Sequence, residues 1–130
     1  LLMADGAHMP ALIETGGKAV DGVHLTAHFN LEAASTTLGR RFVANFKKQH
    51  RKDADAFGAL GADAYFLLTG AIKRAKSTEG AKIRSALTST KNFKGVTGPI
   101  KINEDGNTIK QLVINRVKNG RFTYVTTVNP

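Results

Sequence analysis

The chain contains no cysteine. That excludes disulfides and thiolate metal sites, and it leaves the redox compartment open. The opening residues, LLMADGAHMP, carry no basic region ahead of an apolar core, so no secretory signal is visible in them. The longest apolar run, AYFLLTGAI from Ala64 to Ile72, falls well short of the roughly 20 residues a membrane span requires. Leu1 stands where an initiator methionine would, as expected of a trimmed or excerpted chain. Acidic residues are also scarce, 10 against 19 lysines and arginines, for a net charge of +9. An excess of that size can mark a nucleic-acid or acidic partner. Here the cations are scattered over every element. The densest group, Lys47 to Lys52, closes a helical stretch, where positive charge complements the dipole. No aromatic residues interleave with it as a base-stacking platform would need. The charge therefore reads as solvated faces, with nucleic-acid binding as the weaker alternative.

What is present is one domain's length of chain, 130 residues, with 42% hydrophobic content, enough for a packed core. LLMADG reads as a short buried strand ending at Asp5-Gly6. Pro10 suits the first turn of a short helix that Gly16-Gly17 closes. Residues 22–29 alternate as a strand. Residues 36–50 place Leu38, Phe42 and Phe46 on one helical face, with Ser35 or Thr36 as cap. Residues 51–56 read as a linker. Residues 56–75 form the longest helix, with Leu60, Ala64, Leu67, Leu68, Ala71, Ile72 and Ala75 inward. Its small residues 58, 59, 61, 62 and 64 predict close packing on another backbone. A further helix follows Ser77 or Thr78, with Ile83 and Leu87 inward. Then come a strand over 96–103, a turn at NEDGN, and two alternating strands joined by Asn119-Gly120. That dipeptide is a strong hairpin signal, because both central positions of a type I′ turn need φ > 0. The order, β-α-β-α-α-α-β-β-β, belongs to the α/β class.

Catalytic signatures are missing. GALGAD, 58–63, lies in a helix and lacks the lysine and hydroxyl of a phosphate loop. His24 and His28 share a strand face about 13 Å apart, too far to hold one metal. All four histidines, His8 and His50 included, read as surface or packing residues. No serine sits in a nucleophile elbow. Glu104-Asp105 lies in a turn, where an aspartate bonds its own backbone. The chain is expected to be no enzyme, with no metal and no cofactor. Asp5 is the exception among the polar residues. It stands at the carboxyl end of the first strand, where open α/β sheets bind ligands, and a carboxylate there suits an ammonium group. The alternatives are a cap for the helix at Pro10 and a support for the loop.

Several stretches, taken in order, resemble one family: MADG before a helix, GGKAVDGVHLTAHF, RFVANFKKQH, DAFGALGADAYFLLTGAIKRAKST, KIRSALTSTKNFKGVTGPIKINEDGNTIK and VKNGRFTYVTTVNP. The chain is similar to the leucine/isoleucine/valine-binding family, the extracytoplasmic solute-binding proteins of ABC transporters. The pair KGVTGPIKINEDG and VKNGRFTYV, spaced as it is after the long helix, is its most specific part. The resemblance implies a type I periplasmic-binding-protein fold of two three-layer αβα lobes, ending in a β-hairpin. The chain would form the C-terminal third of it.

By that resemblance, residues 1–29 belong to the second lobe, 30–107 to the first, and 108–130 form a hairpin returning to the second. The implied function is to bind an amino acid or similar small acid between the lobes, outside the cytoplasm, and deliver it to a membrane permease. A sensor of the same fold without transport is the alternative. Asp5 matches the acidic residue that holds the ligand's α-ammonium, and Phe57 an aromatic at the first-lobe rim that contacts the ligand side chain. Ala62 departs from the tyrosine often found there. The groups that bind an α-carboxylate in the family lie upstream. Besides ligand and permease, the implied partner is the upstream part of the protein or a second copy of this chain.

Overall fold

Two sheets organise the computed structural model, which describes residues Leu1–Pro130. In chain order the elements are β1 Leu2–Met3, α1 Pro10–Gly16, β2 His24–Ala27, α2 Thr37–His50, α3 Ala56–Ala75, α4 Gly80–Thr88, β3 Phe93–Gly95, β4 Gly98–Ile102, β5 Thr108–Lys110, β6 Leu112–Lys118 and β7 Arg121–Val128. The first sheet has the order β1-β2-β6-β7. β1 and β2 run parallel with α1 between them, and β6 joins β2 antiparallel, His24 opposite Arg116. β6 and β7 form the hairpin predicted at Asn119-Gly120, where φ is +52° and +70°. The register slips between Ile114 and Asn115, a bulge that leaves Val125 unpaired. The second sheet is antiparallel, β3-β4-β5, and α2, α3 and α4 accompany it.

Each sheet has its own core. Val23, Leu25 and Val117 are buried in the first, packed by Met3, Leu12, Ile13, Val20 and Phe122. Phe29, Ala54, Ala56, Ala59 and Val96 form the second, with Leu38, Phe42, Phe46 and Phe66 against them. The chain passes from the first sheet to the second after β2, and returns at Gln111 between β5 and β6. Thr108–Lys110 therefore still pairs with β4 in the second sheet.

Several local expectations change. The first strand is not buried: it is two residues long, lies at a sheet edge, and leaves Leu2 exposed. The strand read over 96–103 is a hairpin, β3 and β4, turning at Val96-Thr97 with Gly98 at φ +109°. On α3 the buried residues are Ala56, Ala59, Asp63 and Ala71, while Ala64 and Leu68 face outward. Gly58 and Gly61 do not meet another backbone, since a Cβ at Gly61 would find nothing within 4 Å and one at Gly58 only side-chain atoms; the helix reaches the β3–β4 turn through the Asp63 carboxylate. Asp55, inside the supposed linker, caps α3 by accepting the N–H of Gly58 at 2.7 Å. Thr36 caps α2, accepting from Gly39 at 2.8 Å, and its hydroxyl donates to Gly95 O at 2.6 Å. The cap position of α4 is Glu79; the Ser77 hydroxyl accepts its N–H. No helix is long and apolar enough to cross a membrane.

Candidate ligand-binding cleft

Asp5 opens a short 3-10 turn, Asp5–Ala7, directly after β1. It does not cap α1, whose cap position is Met9 without a side-chain bond. The helical-cap reading is thereby excluded. The residue instead lines a cavity of about 110 Å³, bounded by Asp5, Gly6, His8, Ala27 and His28 from the first sheet and its connections and by Ala56, Phe57 and Leu60 from α3. The two residues singled out from sequence, Asp5 and Phe57, thus come together across one cleft. Phe57 stands in the first turn of α3 and is 60% exposed, so it is a rim residue and not a core residue. Ala62 lies one turn further along α3 and does not line the cavity.

A second cavity of about 240 Å³ adjoins the first through His8, with Phe29, Asn30, Asp55 and Phe122 among its walls. Together the two spaces fall at the lower end of the range for small-molecule sites, about 300–1,000 Å³.

Two histidines give the cleft its polar structure, and the sequence offered no sign of either role. The Nε2 of His28 is 3.1 Å from Asp5 Oδ2. An ionised carboxylate only accepts, so this nitrogen carries the proton. His8 is the opposite tautomer. The amide Nδ2 of Asn115 faces its Nε2 at 3.1 Å, and an amide nitrogen only donates, so Nε2 accepts. Burial pushes the His8 imidazole below its ordinary pKa, against the opposing pull of Asp55, and a neutral ring suits this acceptor role. Its ring also packs against Phe122 in a tilted arrangement, the centroids 4.5 Å apart. Asn115 is fully buried and accepts from Asn30 Nδ2 at 2.8 Å, and Asn30 Oδ1 accepts the N–H of Glu32 at 2.8 Å. The line His8–Asn115–Asn30 ties the first sheet to the segment leaving it. Spacing could not reveal it, because its members are 85 and 107 residues apart in sequence.

The back of the seam is closed by charge. Lys110 Nζ donates to the His28 carbonyl at 3.2 Å and to Thr97 Oγ1 at 2.5 Å. The Thr97 hydroxyl in turn donates a hydrogen bond to Asp63 Oδ2 at 2.6 Å. Both passages between the sheets, at His28 and beside Gln111, are therefore pinned by one lysine. No cluster of three or more metal-ligating side chains forms anywhere in the chain.

Comparison with known proteins fits this geometry. The model of a family described as periplasmic binding protein matches residues 1–121. No curated protein matches. Among solved structures, a leucine binding protein, LivK, from Thermotoga maritima is 43% identical with a TM-score of 0.95, over 99% of this chain and 37% of its own. The branched-chain amino acid transporter substrate binding protein LivJ from Streptococcus pneumoniae, solved with isoleucine, is 22% identical, TM-score 0.88, over 99% of this chain and 37% of its own. A solute binding protein of an ABC transporter from R. palustris, in complex with benzoate, is 22% identical, TM-score 0.75, over 92% and 33%. The last two share the fold. The chain spans about a third of the length of these relatives.

Proposed function

The chain belongs to the periplasmic binding protein family, and on that premise we propose that it is the C-terminal third of an extracytoplasmic solute-binding protein that captures an amino acid and hands it to an ABC permease. In this reading residues 1–29 and the hairpin from Leu112 to Val128 contribute to one lobe and residues 30–110 to the other. Two separate sheets with two separate cores support it.

The observation that carries the ligand assignment is the placement of Asp5 and Phe57 on opposite walls of one cleft. The carboxylate supplies the counter-charge for an α-ammonium, and the aromatic ring a wall for an apolar side chain. The 43% identical relative is a leucine binding protein, which favours a branched aliphatic ligand. Groups for the ligand's α-carboxylate would come from the rest of the protein. No covalent chemistry is required; binding energy and lobe closure suffice.

Calorimetric titration of the intact protein with L-leucine tests this. Asp5→Asn should weaken binding by roughly 1.5–3 kcal/mol, the worth of a hydrogen bond to a charged group. Unchanged affinity would leave Asp5 a loop support and end the amino-acid reading. Benzoate in the same titration separates the two ligand chemistries: Asp5→Asn should not weaken a ligand that has no ammonium.

A further inference from the structure

We propose that His28 is the positioning residue of this site: it fixes the Asp5 carboxylate for an ammonium ligand while leaving that carboxylate's charge uncompensated. The inference rests on the amino-acid reading of Asp5.

The argument begins with how firmly His28 is held. Its carbonyl accepts from Lys110, and the next residue, Phe29, is buried in the core of the second sheet. Its side chain is 30% exposed, against 53% for the Asp5 side chain it touches. Asp5 stands on a three-residue turn after an edge strand, with little of its own to hold it. The rigid partner is thus the histidine, and the 3.1 Å contact to Oδ2 sets the rotamer of the aspartate. Oδ1 has no protein partner, so it is the oxygen open to a ligand.

The second step concerns charge. His28 Nε2 carries a proton to meet Oδ2. Its Nδ1 is buried and makes no hydrogen bond. A second proton there would bury an unpaired N–H beside the cleft, which costs free energy without return. The arrangement therefore suits a neutral imidazole, which donates one hydrogen bond and brings no charge. A lysine or arginine at the same place would hold Asp5 equally well but would neutralise it and compete with the ligand's ammonium. The histidine thus separates two tasks that a permanent cation would confuse. The result is selectivity for ligands that bear an amino group over the corresponding plain acids.

The test compares L-leucine with 4-methylpentanoate, the same skeleton without its amino group, on the intact protein. His28→Leu should weaken L-leucine about tenfold, the order expected for one hydrogen bond to a charged group, and leave 4-methylpentanoate within about twofold of its starting affinity. His28→Gln, which keeps an N–H at a similar reach, should restore most of the leucine affinity. His28→Arg should weaken leucine more than His28→Leu does. In an Asp5→Asn background, His28→Leu should add nothing further, since the two residues act as one unit. Equal losses for both ligands in His28→Leu would make His28 a packing residue and overturn the proposal. So would a leucine affinity lowered by Asp5→Asn but untouched by His28→Leu. If Asp5→Asn itself leaves leucine unaffected, the amino-acid reading falls, and this inference with it.

Discussion

The carboxylate of Asp63 accepts both the backbone N–H and the hydroxyl of Thr97, at 2.9 and 2.6 Å, from the middle of a helix. Its other oxygen accepts the N–H of Val96 at 2.5 Å. The β3–β4 turn is thus held by a side chain of α3 where a strand partner would otherwise hold it. Gly95 has no side chain for a plain reason: a Cβ there would lie 2.5 Å from Asp63 Oδ1. Asp63 is only 2% exposed, so its removal strands buried donors with no water to replace it. Asp63→Ala should lower unfolding stability by roughly 3 kcal/mol, within the range for breaking a buried charged network. Urea unfolding of the intact protein measures this; a loss below about 1 kcal/mol, the net worth of an ordinary hydrogen bond, would show that the turn holds itself.

Lys110 makes a pH-dependent prediction. Burial lowers its pKa from the ordinary 10.5 to about 8, with Asp63 opposing the shift. In the folded protein the ammonium gives up its proton near pH 8, whereas the unfolded chain keeps it to about 10.5. Between those values the unfolded state binds more protons, so the lysine's contribution to stability rises with pH across that window. Below about pH 8 both states are charged and the burial cost is felt in full. The stability of the native protein relative to Lys110→Met should therefore increase from about pH 8 to 10.5. Parallel denaturant titrations at several pH values decide it, and a flat difference would mean that Lys110 titrates as a solvated lysine.

The β6–β7 turn tests backbone conformation without packing. A Cβ at Gly120 would meet nothing closer than Ile13 Cγ2 at 4.0 Å, so space is not the constraint. Its φ of +70° is. Gly120→Val should cost roughly 1–3 kcal/mol, the range for a residue held in a disfavoured φ/ψ region, because a β-branched residue resists that region. Thermal melts of the two proteins should separate by several degrees, and coincident midpoints would refute the turn assignment.

These three sites differ in how much of each was legible in the sequence. Asn119-Gly120 was readable because its signal is local: two adjacent residues that tolerate positive φ between alternating runs. The helices over 36–50 and 56–75 were readable for the same reason, from periodicity and Thr36. Asp63 was not, since a lone acidic residue on a helix usually faces water, and only the fold reveals the turn that comes to meet it. Lys110 and His28 were hidden likewise. Their partners are Thr97, Asp5 and each other, and no spacing rule connects them. The single strand expected over 96–103 failed because Val96 and Ile100 both look like strand residues, while the reversal between them depends on Gly98 and on Asp63 from elsewhere. Asp5 was found through its strand-end position. The strand itself proved short and exposed, because Leu2 and Met3 pair with only one neighbour.

The final prediction concerns what residues 1–130 do when produced alone. Their accessible surface is 8370 Å². A compact monomer of 13.9 kDa exposes about 6,700 Å². The excess, roughly 1,700 Å², is comparable to all the surface lost in a standard protein–protein interface. Only 21 of the 130 residues are buried, which leaves little core to hold two sheets together. The excess is partly apolar: Leu2, Tyr65 and Leu68 are 69%, 63% and 46% exposed. Both sheets also have open edges, at β1 and β7 in one and at β3 and β5 in the other. Unpaired edges and apolar patches recruit further chain. The relatives are more than twice as long, so the natural cover is the rest of the protein. The isolated chain should therefore self-associate, and supplying the remaining sequence as a second polypeptide should convert it to a discrete complex. Sedimentation velocity across a hundredfold concentration range checks this. A compact monomer throughout, with an amino-acid site of full strength, would show that these residues form an independent domain.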